Sequence, residues 1–231
     1  MSFDREQPRF ENRYDAGRQL AGKLGGYKGQ SGVVLAIPNG GVPVGLEVAL
    51  ALEADLDLVI SRKIPLPLNP EAGFGAIADD GTVILNEELV KRVGLSQHQI
   101  NYQINRVRAE IRQRSLLHRR DKPLAAVSGK RIIIIDDGLA SGFTMMAAVT
   151  SVRRRHPKEI VVAVPAASPA ALEQVEKVAD KVVTLATGSM PRFAVADFYR
   201  NWYDVSDDEV IQCLKEWRMR HFRSNMNSHE N

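Results

Sequence analysis

Residues 131–144 read Arg-Ile-Ile-Ile-Ile-Asp-Asp-Gly-Leu-Ala-Ser-Gly-Phe-Thr, and the rest of the predicted fold is arranged around this stretch. The four consecutive isoleucines predict a strand buried on both faces, because β-branched side chains suit a pleated sheet and parallel sheets contain unbroken apolar runs. Two carboxylates, Asp136 and Asp137, follow this strand. The run from Met145 to Val152 then has helical spacing. The stretch therefore predicts a strand, a loop of small residues and a helix.

The loop between the carboxylates and the helix has the composition of a phosphate-binding loop. Its small side chains leave backbone N–H groups and a helix N-terminus directed at one point, which suits an anion. Ser141 and Thr144 add hydroxyl donors. The two carboxylates cannot bind a phosphate themselves, but they suit the hydroxyls of a ribose, or a metal ion, next to a bound phosphate. The alternative is an ordinary strand, turn and helix with incidental acids.

The order of these features resembles the motif with which type I phosphoribosyltransferases bind phosphoribosyl diphosphate (PRPP). The apolar strand, the acid pair and the hydroxyl-bearing loop up to Thr144 occur in the required sequence. Ser141 stands where the family usually has threonine, and Phe143 stands where a smaller residue is common. The whole chain is most similar to phosphoribosyltransferase-domain proteins of bacteria and archaea whose acceptor is uncharacterised.

Length and composition predict one domain, since 231 residues with 44% hydrophobic content can bury a sizeable core but leave little for a second domain. The formal net charge of +3 does not by itself indicate a nucleic-acid-binding protein. No apolar run approaches the roughly 20 residues of a membrane span, and the lone Cys213 excludes an internal disulfide. We therefore expect a cytoplasmic protein, with residues 1–223 forming the domain and residues 224–231 a disordered tail.

A second strand, glycine-rich turn and helix precede the motif. Residues 33–37 predict a buried strand, and the turn at residues 38–41 contains two glycines, which let backbone approach an anion although most such turns are only turns. The strand at residues 56–60 ends near Arg62 and Lys63, where ligands of open α/β sheets bind. These cations suit a diphosphate, whereas a solvated strand end is the simpler interpretation. The family resemblance implies that both places contact pyrophosphate.

Residues 64–86 are rich in proline and glycine, and Asp79-Asp80-Gly81 predicts a hairpin turn. A broken segment of this length is often a lid, and the resemblance implies a mobile loop that closes over the site here. Residues 96–120 predict a helix with one apolar face and many arginines elsewhere. A solvated face explains those arginines. An RNA-binding strip is disfavoured because no stacking aromatic residues lie between them.

The segment 191–203 is rich in aromatic residues, which a hydrophobic seam against the sheet or a dimer contact would explain. The resemblance implies that residues 187–204 form a hood over the acceptor. We predict that Phe193 and the aromatic cluster Phe198, Tyr199 and Trp202 offer a face to a planar ring. Phe193 is favoured among them because it lies nearest the end of the last strand. Trp202 is expected to pack in the core or at a dimer contact.

Strands and helices alternate along the chain, which predicts a doubly wound α/β domain with a mainly parallel sheet. The resemblance implies a Mg²⁺-dependent transferase that moves the phosphoribosyl group of PRPP to a nitrogen acceptor, a nucleobase or related heterocycle, and we expect a homodimer. Asp136 and Asp137 would hold the metal and the ribose hydroxyls, and with Arg62 and Lys63 they would form the catalytic group. The remaining substrate-binding residues would be Pro38, Asn39, Gly40, Gly41, Gly138, Leu139, Ala140, Ser141, Gly142, Phe143, Thr144 and Phe193.

Two other functions fit the same sequence. A PRPP-sensing regulator would use the pocket without turnover, with the arginine-rich helix contacting nucleic acid. A plain binding or assembly module would need no catalysis at all. The predicted lid and hood favour the transferase, because turnover needs them and sensing does not.

Overall fold

The computed structural model describes residues 9–30, 32–119, 124–188 and 193–227. The strands are β1 (Gly32–Ala36), β2 (Asp55–Leu58), β3 (Ser61–Leu66), β4 (Asn69–Ala78), β5 (Val83–Leu85), β6 (Arg131–Ile135), β7 (Glu159–Ala167) and β8 (Lys181–Thr187). The helices are α1 (Arg13–Lys23), α2 (Gly41–Leu52), α3 (Glu87–Val93), α4 (Gln97–Arg119), α5 (Phe143–Arg153), α6 (Pro169–Glu176) and α7 (Asp207–Asn227). Five strands form a parallel sheet in the order β2-β1-β6-β7-β8, and three form a small antiparallel sheet in the order β3-β4-β5.

The parallel sheet is covered by helices on both faces. Ile133 and Ile135 of β6 belong to the core shared with α1, α2 and α7, whereas Ile132 and Ile134 belong to the core shared with α5 and α6. All four isoleucines are at most 3% exposed, because alternate side chains of a strand point to opposite faces and both faces are packed. The predicted doubly wound α/β fold is confirmed.

The antiparallel sheet occupies the segment that the sequence suggested as a lid. Its β4–β5 connection is the predicted hairpin turn, where the Ala78 N–H donates to the Thr82 carbonyl at 2.9 Å and Gly81 has φ +89°. Phe74 and Ile77 of β4 are fully buried, whereas Leu68 at the β3–β4 tip is fully exposed. The base of this segment is therefore part of the packed domain, and its exposed residues are concentrated at the tip, residues 68–71.

Two sequence-based expectations need correction. The arginines of α4 do not all belong to a solvated face, because Arg119 is buried and donates to the Leu58 carbonyl at 2.6 Å and to Asp79 at 3.2 Å. Helix α7 continues through Asn227, four residues into the segment predicted as a disordered tail. Residues 228–231 lie outside the described residues. None of the helices in the described ranges is long and apolar enough to cross a bilayer.

The segment before α1 is tied to the segment after β8. The Phe10 N–H donates to the Phe198 carbonyl at 2.9 Å, and the Arg200 N–H donates back to the Phe10 carbonyl at 2.8 Å. Phe10 and Tyr199 also pack ring against ring, with centroids 5.4 Å apart. This pairing brings the first turn of α1 beside the end of β6, which is distant in sequence.

Candidate active site

The loop between β6 and α5 is held in place by backbone hydrogen bonds. The Leu139 N–H donates to the Ala166 carbonyl and the Ser168 N–H donates to the Leu139 carbonyl, both at 2.9 Å. Gly142, which precedes α5, has φ +79°, a left-handed conformation that favours glycine. No side chain caps α5, so N–H groups of its first turn are available to an anion. These N–H groups belong to the loop for which the sequence predicts a phosphate.

The acid pair lies at the carboxyl end of β6. Asp136 Oδ1 accepts a hydrogen bond from the Asp137 backbone N–H at 2.8 Å. Burial raises the pKa of Asp136 well above its usual range, and the neighbouring Asp137 carboxylate raises it further. Burial also raises the pKa of Asp137, although the adjacent Arg13 acts in the opposite direction. Ionisation of both carboxyl groups is therefore unfavourable unless a cation or hydroxyl donors lie beside them.

Arg13, at the start of α1, holds Asp137 in place. Its side chain is only 3% exposed, its Nε donates to Asp137 Oδ2 at 2.8 Å, and its Nη1 donates to the Tyr203 carbonyl at 2.7 Å. The guanidinium also lies 3.9 Å from the ring centroid of Trp202, in a cation–π contact. Tyr199 adds a hydrogen bond from Oη to the Asp137 carbonyl oxygen at 2.6 Å. Both the carboxylate and the backbone of Asp137 are thus held from outside its own strand.

The loop between β1 and α2 packs directly on the acid pair. A Cβ at Gly40 would lie 2.0 Å from Asp137 Oδ2, and a Cβ at Gly41 would lie 2.9 Å from the Asp136 Cα. Only glycine fits at either position. The preceding peptide bond, between Pro38 and Asn39, is cis.

Asn39 connects this loop to two helices. Its Nδ2 donates to the Val205 carbonyl at 2.9 Å and to Asp207 Oδ1 at 3.0 Å, while its Oδ1 accepts from Arg114 of α4. Burial alone would raise the pKa of Asp207, but the hydrogen bonds from Asn39 and His118 outweigh it and the pKa is lowered. The loop conformation therefore depends on an ionised carboxylate at the N-terminus of α7.

These segments line one cleft of about 740 Å³. The glycine-rich loop contributes Pro38, Asn39 and Gly40 to its lining, beside Asp137. The other lining residues include Arg62 and Lys63 of β3, Trp202, Asp204 and Val205 from the segment before α7, and Arg106, Val107, Glu110 and Arg114 of α4. The size is within the range of small-molecule sites, and the concentration of cations suits an anionic ligand.

Residues 9–196 match the sequence profile of the family described as "Phosphoribosyl transferase domain", which is well over half of the chain. The chain belongs to this family. A protein of Thermus thermophilus, TT1426, has a crystal structure that is similar over 90% of this chain and 99% of that one, with 37% sequence identity and a TM-score of 0.74. The phosphoribosyltransferase fold therefore extends over nearly the whole described chain.

Two curated relatives come from Mycobacterium tuberculosis, one from strain H37Rv and one from strain CDC 1551. Each is provisionally named a phosphoribosyl transferase and is 39% identical to this chain over 205 residues. The match covers 89% of this chain but 46% of each relative, so the chain spans about half the length of the curated relatives it matches.

The cleft brings together part of the predicted site. Asp137, Arg62 and Lys63 line it together with the predicted turn residues 38–40, and Asp136 and Gly41, the neighbouring residues along the chain, pack against each other. The phosphate loop, residues 138–144, adjoins the cleft through Asp137 but contributes none of the residues described as lining it. Phe193 does not line it either, because its ring packs against Phe198 with centroids 5.3 Å apart.

Several residues of the site were missed from sequence. Trp202, expected in the core or at a dimer contact, is 39% exposed and lines the cleft. Arg13 gave no signal, because only the pairing of distant segments brings it to Asp137. The residues of α4 did give a sequence signal. Arg106, Glu110 and Arg114 recur at intervals of four, which places them on one helical face.

Proposed function

We propose that this chain transfers the phosphoribosyl group of PRPP to a nitrogen atom of a nucleobase or related heterocycle and releases pyrophosphate. The observation that carries the proposal is that Asp137, Arg62 and Lys63 line the same cleft together with the glycine-rich loop. Such a cleft offers carboxylates to a sugar and cations to its leaving group. The cations stabilise the negative charge that the diphosphate acquires as its bond to C1 breaks.

The phosphate loop and the acid pair orient the sugar in this proposal. N–H groups at the start of α5 and the hydroxyls of Ser141 and Thr144 bind the 5′-phosphate, and the carboxylates accept hydrogen bonds from the ribose hydroxyls. Positive charge develops on the ribose ring as the leaving group departs, and the nearby carboxylates Asp136 and Asp137 stabilise it. Arg13 fixes the orientation of Asp137, so that the site is organised before the substrate binds.

Mg²⁺ is the metal that these residues fit. Asp136 and Asp137 supply hard oxygen donors, and no group of three or more carboxylate, histidine or cysteine side chains converges within the described ranges. Mg²⁺ is commonly held by one or two carboxylates and completed by substrate oxygens and water. Because Arg13 engages only Asp137 Oδ2, the other Asp137 oxygen and Asp136 are the donors that this chain would provide. The chemistry that the ion supplies is charge neutralisation at the diphosphate.

The acceptor is proposed to bind against the wall formed by Trp202, Asp204 and Val205. One face of Trp202 is covered by Arg13, and its remaining exposed surface borders the cleft. A planar heterocycle can stack on an aromatic ring, and the Asp204 carboxylate can accept hydrogen bonds from ring or exocyclic N–H groups. A cytoplasmic location and a homodimeric assembly remain part of the proposal.

Incubation of the protein with PRPP, Mg²⁺ and a panel of nucleobases and related heterocycles tests the proposal, with pyrophosphate release as the readout. At least one acceptor should release pyrophosphate and form the corresponding ribonucleotide, and the variant Asp136→Asn with Asp137→Asn should form neither. Saturable PRPP binding without pyrophosphate release for any acceptor would contradict the transferase and favour the PRPP-sensing regulator.

A further inference from the structure

One face of α4 lines the cleft, and Arg114 on this face contacts Asn39 of the glycine-rich loop. Arg106, Glu110 and Arg114 are four residues apart and all line the cleft. Val107 and Ile111 on the adjacent face are at most 3% exposed and anchor the helix in the core. The charged side chains of α4 are therefore presented to the cleft by a helix whose position is fixed by packing.

Glu110 lies between two arginines at this wall. Its Oε2 is 3.5 Å from Arg62 Nε, and its Oε1 is 3.9 Å from Arg106 Nε. Both distances exceed those of a good charge-assisted hydrogen bond. Arg62 is 32% exposed, Glu110 is 42% exposed and Arg106 is 46% exposed. Water therefore competes with each ion pair for these side chains. Glu110 is an electrostatic partner that a stronger anion can replace.

The cations of this wall are incompletely neutralised. Burial lowers the pKa of Arg62, and the charge of Arg114 lowers it further, while the carboxylates of Glu110 and Asp207 act in the opposite direction. Glu110, the only acidic residue of α4, lines the cleft beside Arg62 and Arg106, whereas Arg114 lies 3.8 Å from Asp207 of α7. A ligand with several negative charges would relieve this repulsion better than these two carboxylates do.

We propose that α4 completes the diphosphate subsite, and that Glu110 is an internal counter-ion which the diphosphate of PRPP, or free pyrophosphate, displaces from Arg62 and Arg106. This inference rests on the proposed function, because that function supplies the ligand class. Arg106 then contacts the diphosphate directly. The displaced Glu110 carboxylate stays on the same helical turn and repels the bound anion, which weakens retention of the product pyrophosphate.

Calorimetric titration of the full chain with pyrophosphate and Mg²⁺, and separately with ribose 5-phosphate, tests the inference. The variant Glu110→Gln should bind pyrophosphate about tenfold more tightly than the wild type, because the competing charge is removed while the shape is kept. Arg106→Gln should bind it about fivefold more weakly. Neither change should alter the affinity for ribose 5-phosphate, whose phosphate belongs to the other end of the site.

Two matched controls separate these effects from a change in the overall charge of the protein. Arg112→Gln removes an exposed arginine of α4 that does not line the cleft, and Glu176→Gln removes an exposed acid of α6. Both should leave the pyrophosphate affinity unchanged.

Unchanged or weaker pyrophosphate binding by Glu110→Gln would overturn the inference, as would equal tightening for ribose 5-phosphate. If the wild type binds pyrophosphate and neither Glu110→Gln nor Arg106→Gln changes the affinity, only the inference fails. A wild type that binds no pyrophosphate would overturn the proposed function as well.

Discussion

The two ends of the site are constructed in different ways. The phosphate loop, residues 138–144, is a contiguous stretch that is held by backbone hydrogen bonds to β7 and by the conformation of Gly142. The cleft, in which we propose that the diphosphate and the acceptor bind, is lined by side chains of five separated segments, near residues 13, 39, 62, 110 and 204. A contiguous, backbone-built site is visible in a sequence, whereas a site built from distant side chains becomes visible only after the chain has folded.

The largest effect is expected where the two ends meet. Asp136→Asn with Asp137→Asn should weaken Mg²⁺-dependent PRPP binding by about a hundredfold or more, because two charged contacts are lost together. Titration calorimetry measures this loss. The matched control is Glu87→Gln with Glu88→Gln, an adjacent acid pair in the first turn of α3, and it should bind PRPP like the wild type. A double mutant with wild-type PRPP affinity would mean that the acid pair does not join the two ends.

Removal of Arg13 should destabilise the assembled end. Arg13→Ala leaves the Asp137 carboxylate buried without its partner, and breaking a buried ion pair costs about 3–5 kcal/mol. Chemical denaturation measures the free energy of unfolding. Arg18→Ala, on the same helix, removes a 57% exposed partner of Glu47 and should cost less than about 1 kcal/mol. Equal costs for the two variants would show that Arg13 does not organise the site.

Gly40→Ala tests how closely the glycine-rich loop packs against the acids. Its Cβ would fall 2.0 Å from Asp137 Oδ2, so the carboxylate must move, and we expect a stability loss of about 1–3 kcal/mol together with weaker PRPP binding. Because the φ of Gly40 is −58°, backbone strain does not contribute. Gly22→Ala in α1 meets nothing within 4 Å and should be neutral or stabilising. Full PRPP affinity in Gly40→Ala would contradict the close packing.

Whether a feature of the fold or the site could be predicted depends on how far apart along the sequence the interacting residues lie. The strand, the acid pair and the loop after them could be predicted because one stretch of 14 residues contains them all. Arg62 and Lys63 could be predicted to lie at the cleft because they follow a strand end. Arg13 was not found, because its role depends on the pairing of Phe10 with Tyr199.

The segment predicted as a hood, residues 187–204, shows the same limit of prediction from sequence. Phe193 was favoured for its place in the sequence, yet its ring packs against Phe198, and Trp202 lines the cleft instead because Arg13 holds one of its faces. Proline and glycine content predicted a lid over residues 64–86. The same residues support a hairpin sheet whose base is buried, since Phe74 and Ile77 pack into the core.

The smallest effect concerns mobility at the lid. If the segment closes over bound PRPP, hydrogen exchange should slow at the exposed tip, residues 68–71, when PRPP and Mg²⁺ are added. Residues 74–78 of β4 are already buried and should exchange slowly in both states. Identical exchange at the tip with and without ligand would contradict a lid.

The central claim is that the site has a locally encoded phosphate end beside the cleft and a separately assembled diphosphate end within it. Calorimetric affinities for ribose 5-phosphate, for pyrophosphate with Mg²⁺ and for PRPP with Mg²⁺ test it directly in two double variants. Arg62→Ala with Lys63→Ala should weaken pyrophosphate and PRPP by at least about tenfold and leave ribose 5-phosphate within about twofold. Ser141→Ala with Thr144→Val should weaken ribose 5-phosphate and PRPP and leave pyrophosphate unchanged. Equal losses for ribose 5-phosphate and pyrophosphate in both variants would contradict the division of the site.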